Sequence, residues 1–143
     1  MSEKLYLTID SSGLDIDSPV SVTVPLENYV SENYSRIALK RIYLQHDTDV
    51  RTLFRFSTRT KPIYIRCSIL NLNDNLVNGK KSDMLAIVCP EFRSRRDFCG
   101  KPTNNSFKLV KADTKICMTL SNVDGTPVDN RNKFRVIYEL EFC

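Results

Sequence analysis

Apolar residues recur at every second position in one short run after another, and this period constrains the fold more than any other feature of the chain. An extended strand sends alternate side chains to opposite faces, so a period of two marks strands with one buried face. Lys4 to Ile9 (KLYLTI) places Leu5, Leu7 and Ile9 on one face, and Val20 to Val24 (VSVTV) sets three valines against Ser21 and Thr23. Ile63 to Ile69 (IYIRCSI) alternates Ile63, Ile65, Cys67 and Ile69 with Tyr64, Arg66 and Ser68. Lys133 to Phe142 (KFRVIYELEF) aligns Phe134, Val136, Tyr138, Leu140 and Phe142.

Five further segments complete the set. Ile37 to Leu44 (IALKRIYL) fits either a strand or successive helical turns, and its shortness favours a strand. Thr52 to Phe56 (TLFRF), Phe107 to Val110 and Thr114 to Leu120 (TKICMTL) also read as strands. Met84 to Cys89 (MLAIVC) is apolar throughout and stops at Pro90, the pattern of a central strand covered on both faces. Asp124-Gly125 and Thr126-Pro127 supply turn chemistry before the last strand. With no long helical pattern and no internal repeat, the expected class is an all-β sandwich or barrel in one domain spanning residues 1–143. Asn71 to Asp83 and Glu91 to Ser106 are polar and read as long loops, where contacts with other molecules concentrate.

Composition narrows the function. A net charge of +4 is too small an excess to imply a nucleic-acid partner. No run approaches the roughly 18 apolar residues of a membrane span, and MSEKLYLTID lacks the apolar core of a signal peptide. The expectation is a protein made in the cytosol, without a membrane span. Cys67, Cys89, Cys99, Cys117 and Cys143 form no CxxC pair and read as free thiols, most of them buried.

Catalytic sites founder on histidine. His46, in LQHDTD, is the sole histidine and reads as a solvated turn residue, so neither a Ser-His-Asp or Cys-His site nor the histidine-rich metal site of jelly-roll enzymes is expected. Asp15 with Asp17 and Asp47 with Asp49 lie in turn-like stretches. Gly13, Gly79, Gly100 and Gly125 stand too far apart for a phosphate loop. Arg93, Arg95 and Arg96, flanked by Phe92 and Phe98, have the mixture of cations and aromatics that suits a nucleic-acid strand, but the rim of a protein-binding face is the favoured reading. The sequons at Asn33 and Asn104 are given no role.

One resemblance covers most of residues 20 to 142. The stretch SPVSVTVPLENYVSENYSRIALKRIYL resembles the opening of the penton or minor capsid proteins of polinton-like viruses, adintoviruses and virophages, with Val24-Pro25-Leu26 leading through a short loop to the strand at Ile37 to Tyr43. Pro62 to Ile69, the polar loop with Asn78-Gly79, and Asp83 to Val88 are similar to the central strand, loop and strand of that family. Ile116 to Leu120, Asp124 to Val128 and the closing strand resemble its end.

The resemblance implies a single jelly roll of about eight antiparallel strands acting as a structural virion protein. Its implied partners are further copies of itself, as a homopentamer at a capsid vertex, and the major capsid protein. No catalytic residue, cofactor, metal or small-molecule substrate is expected, and nucleic acid is not the expected partner. Heterologous contacts between identical subunits close into rings when the rotation fits. The candidate contact residues are Asn78, Lys80 and Lys81 in one loop and Phe92, Arg93, Arg95, Arg96 and Phe98 in the other. The alternative is a carbohydrate- or peptide-binding sandwich, weakened for sugars by the absence of tryptophan and kept open by six tyrosines.

Overall fold

The computed structural model describes residues 3–13, 21–46, 63–70, 76–88, 91–92, 97–100, 102, 107–108, 115–122 and 134–143. Among them run β1 (Leu5–Asp10), β2 (Ser21–Pro25), helix α1 (Asn28–Asn33), β3 (Arg36–His46), β4 (Ile63–Cys67), β5 (Leu76–Val77), β6 (Lys80–Lys81), β7 (Met84–Val88), β8 (Glu91–Phe92), β9 (Asp97–Gly100), β10 (Phe107–Lys108), β11 (Lys115–Asn122) and β12 (Phe134–Phe142). One sheet has the order β1-β12-β3-β9-β8, with β10 also on β3, and the second has the order β2-β11-β4-β7. Every pairing among the described residues is antiparallel.

Followed along the chain, β1, β2, β3, β4, β7, β9, β11 and β12 change sheet at every step except β4 to β7, and each sheet interleaves strands distant in sequence. That pairing is the jelly roll, two Greek keys folded into facing sheets. β9 and β10 share one edge of β3: Gly100 pairs with Ile42 and Phe107 with Ile37, so seven steps on one side match five on the other.

The alternation did its work where it was cleanest. Ile9, Val22, Ile63, Ile65, Cys67, Ile116, Met118, Leu120, Val136, Tyr138, Leu140 and Phe142 all lie in the core between the sheets. Removing such side chains from water is the main favourable term in folding, at about 25 cal/mol per Å² of apolar surface. Tyr138 is wholly buried and its hydroxyl has no hydrogen-bond partner among the described residues. Burial pushes its phenol far up, with the Cys117 and Cys67 thiols adding to the effect, so it stays neutral.

Two bulges explain where the pattern was ambiguous. Arg41 pairs with Glu139 but Leu39 with Leu140, so Lys40 is an extra residue on β3. The bulge flips the parity of the buried set from Ile37 and Leu39 to Ile42 and Leu44, which imitates helical spacing. On β7, Arg66 pairs with Met84 and Ile65 with Ala86, leaving Leu85 extra. Met84 and Leu85 are both buried for that reason.

Several expectations need correction. The run at Met84 to Val88 is an edge strand, not a central one, and Ile87 is 45% exposed. Asn71 to Asp83 is not a structureless loop. It contains a hairpin in which Leu76 pairs with Lys81 and Val77 with Lys80. Asn78 and Gly79 have φ of 52° and 78°, the two positive values that a two-residue type I′ turn requires and that Asn-Gly favours. Glu91 to Ser106 likewise contains β8, β9 and their pairing. His46 is the last residue of β3, opposite Phe134, and not a turn residue. The loop expected between Pro25 and Ile37 contains α1. The strand expected at Thr52 to Phe56, the aspartates at 15, 17, 47 and 49, and Cys89 lie outside the described residues.

Candidate interaction surfaces

The outer face of the β1-β12-β3 sheet is a lattice of paired charges. The β3 bulge turns both Lys40 and Arg41 outward, toward glutamates of β12: Lys40 lies 3.8 Å from Glu141 and Arg41 3.3 Å from Glu139. Glu141 also meets Lys4 at 3.7 Å. Arg41–Glu139 is exposed on both sides and such a pair contributes about 0.2–1 kcal/mol, whereas Glu141 is buried beneath its two lysines. The cations here face carboxylates of the same chain, which leaves little attraction for phosphate.

At the far end of this face Arg135 grips Asp10 through two nitrogens, with Nε donating to Oδ1 at 2.9 Å. The backbone N–H and hydroxyl of Ser12 also donate to Asp10. Buried Ser11 accepts from the N–H of Val136 at 2.9 Å. The Arg135 hydrogen bond leads in holding the Asp10 carboxyl far below the usual carboxylate range, against the opposing effect of burial. A depressed folded pKa stabilises the fold above the unfolded value, about 4, and the gain is lost as pH falls from there toward the folded pKa. Asp10→Asn keeps an acceptor for Ser12 and removes the charge. Its melting temperature is expected to fall below wild type near neutral pH, and the gap to narrow as the pH is lowered through about 4 to 2. A gap that stays constant over that range in a thermal melt series contradicts this role for the pair.

The outer face of the β2-β11-β4 sheet differs in chemistry. Ser21 Oγ lies 3.2 Å from both Cys117 Sγ and Thr119 Oγ1, and Ser68 Oγ accepts from the Cys117 N–H at 2.9 Å. Burial pushes the Cys117 thiol up, yet hydrogen bonds with Ser21, Thr23 and Thr119 outweigh it and leave the pKa below its ordinary value. No proton-accepting histidine joins this thiol: His46 closes a strand of the other sheet, in register with Phe134. Among the described residues, Cys67 and Cys99 are buried thiols and Cys117 and Cys143 half-buried ones. Among the described residues, no group of three or more His, Cys, Asp or Glu is placed to hold a metal ion, and no helix is long and apolar enough to cross a membrane.

The registers separate the two candidate contact regions. Phe92 pairs with Phe98 and Phe98 with Leu44, two residues before β3 ends at His46. Phe92 and Phe98 are strand residues at that end of the sandwich; Arg93, Arg95 and Arg96 lie outside the described residues. Asn78, Lys80 and Lys81 belong to the hairpin between β4 and β7, next to the Cys67 N–H bonded to the Asp83 carbonyl at 3.0 Å. That is the opposite end, shared with α1 and with Arg36 and Cys143, whose backbones bond to each other.

This second end carries a feature that the reading of strands passed over. Leu26 and Val30 are buried and Tyr34 packs against the core, its ring centroid 6.4 Å from that of Phe142. The spacing of 26, 30 and 34 is that of one helix face, and it was present in the sequence. On α1 Tyr29 is 44% exposed, and Glu32 and the N-cap residue Glu27 are exposed as well. The hairpin exposes Leu76, at 64%, with Lys80 and Lys81.

Fold and surfaces together define a jelly-roll β-sandwich with a side-chain-filled interior, whose exposed apolar groups sit on its outer faces and on protrusions at one end. No family model matches the chain, and no curated protein matches it. Among solved structures, a chain described as "nora virus structure" aligns over 97% of this chain and 56% of its own length, with 9% identity and a TM-score of 0.25. This chain thus spans little more than half of that one, and a superposition at this level carries no weight for function.

Proposed function

We propose that this chain is a non-enzymatic structural subunit of a viral capsid, a penton or another minor component, which forms a ring with copies of itself and sits beside the major capsid protein in the virion. The observation that carries this reading is the jelly-roll pairing of two sheets around an interior occupied by the protein's own large side chains, from Ile37 to Phe142. With the interior filled, partners are met on outer faces and ends, as an assembly module requires. The pattern of strands and turns that resembles the penton and minor capsid proteins supports the particular role.

Co-expression with a double jelly-roll major capsid protein from the same genome tests it. The expected result is a particle in which this chain is present at the vertices by electron microscopy and mass spectrometry. Particles that form normally and never contain it overturn the virion role.

A further inference from the structure

Four large apolar side chains among the described residues are strongly exposed, and two of them, Tyr29 and Leu76, stand on separate protrusions at the same end of the sandwich. Each is accompanied by charges of one sign. Glu27 and Glu32 flank Tyr29, and Lys80 and Lys81 lie across the hairpin from Leu76 and Val77. Glu27, Glu32, Lys80 and Lys81 are all exposed. None has an ion-pair partner among the described residues, in contrast to the paired charges of the neighbouring sheet face.

The hairpin itself is a two-stranded sheet outside both main sheets, a unit that is marginal alone in water. Its Asn-Gly turn holds Lys80 and Lys81 in place ahead of any encounter, which lowers the ordering cost of binding. Helix α1 is fixed just as firmly, by Leu26 and Val30 beneath it. The two protrusions are therefore preformed, each with an apolar centre, and opposite in charge.

We infer that they are the two halves of a contact between copies of this chain: the hairpin of one subunit, through Leu76, Lys80 and Lys81, docks on α1 of the next, at Tyr29, Glu27 and Glu32. The contact is heterologous, because the two patches differ, and it propagates from subunit to subunit until a ring closes. It rests on the self-assembly proposed above and assigns the residues that carry it. The apolar pair supplies the desolvated centre, and the charges supply register and encounter rate.

Charge reversal tests the assignment in the full chain. Lys80→Glu with Lys81→Glu, and separately Glu27→Lys with Glu32→Lys, are each expected to weaken self-association about tenfold or more by analytical ultracentrifugation. Combining all four substitutions in one chain is expected to restore it, because the signs match again. Glu27 makes no side-chain capping bond, so its replacement removes no helix cap, and circular dichroism checks that each variant is folded. Wild-type assembly that is indifferent to both double reversals, or a quadruple variant no better than either, overturns this contact and leaves the assembly reading standing. A wild type that stays monomeric overturns both.

Discussion

Tyr138→Ala is expected to destabilise the protein by about 3–5 kcal/mol, the cost of removing a large aromatic side chain from a filled core. Tyr138 sits on β12, opposite Ile42, and heads the fully buried side chains by volume. Domains of this size have a total stability of about 5–15 kcal/mol, so the variant loses a large part of it. Tyr138→Phe is expected to behave in the opposite way. The hydroxyl is buried without a hydrogen-bond partner among the described residues, so deleting it relieves a desolvation cost and leaves stability unchanged or raised by about 1 kcal/mol. Equilibrium denaturant unfolding of both variants reads these effects. A Tyr138→Phe variant that loses more than about 1 kcal/mol shows that the hydroxyl has a partner.

The second large effect comes from the smallest residue of the core. A Cβ on Gly100 comes within 2.1 Å of Val88 Cγ1 and 3.4 Å of Ile42 Cγ2. Gly100 is in β9 and Val88 in β7, so this contact joins the two sheets of the sandwich. Val88 is fully buried, and a β-branched side chain has few rotamers in which to yield. Gly100→Ala is accordingly expected to cost about 1–3 kcal/mol by overpacking. Val88→Ala makes a cavity in the native protein but creates room for that methyl, so the double variant is expected to be more stable than the sum of the two changes predicts. A double-mutant cycle in denaturant measures the coupling, and strictly additive costs contradict the proposed contact.

The strand-by-strand reading was strongest where one face of a strand is buried and the backbone is regular. β1, β4, β11 and β12 meet those conditions, and their inward sets match the alternation in the sequence. It was less decisive where backbone geometry breaks the period. The β3 bulge at Lys40 shifts the buried set by one residue, so the period of Ile37 to Leu44 also fitted a helix, and its shortness decided correctly for a strand. The bulge at Leu85 buries two neighbours on an edge strand and so imitated a strand covered on both faces. No local pattern marks which strand will lie at an edge, because that depends on pairing between distant segments.

The candidate surfaces were legible in part. Asn78, Lys80 and Lys81 were singled out as a polar loop, although Asn-Gly between short apolar and basic flanks already signals a two-residue hairpin. Tyr29, Glu27 and Glu32 went unnoticed because α1 is only six residues long, too short to stand out against the surrounding strands. That this helix and the hairpin share one end of the sandwich, while Phe92 and Phe98 belong to the other, follows from registers linking residues far apart in sequence.

Light scattering on the purified full-length chain, coupled to size-exclusion chromatography, tests the central claim most directly. A discrete closed oligomer that persists on dilution through the micromolar range is expected, with five subunits if the chain occupies a vertex. A strictly monomeric species at the highest attainable concentration contradicts it.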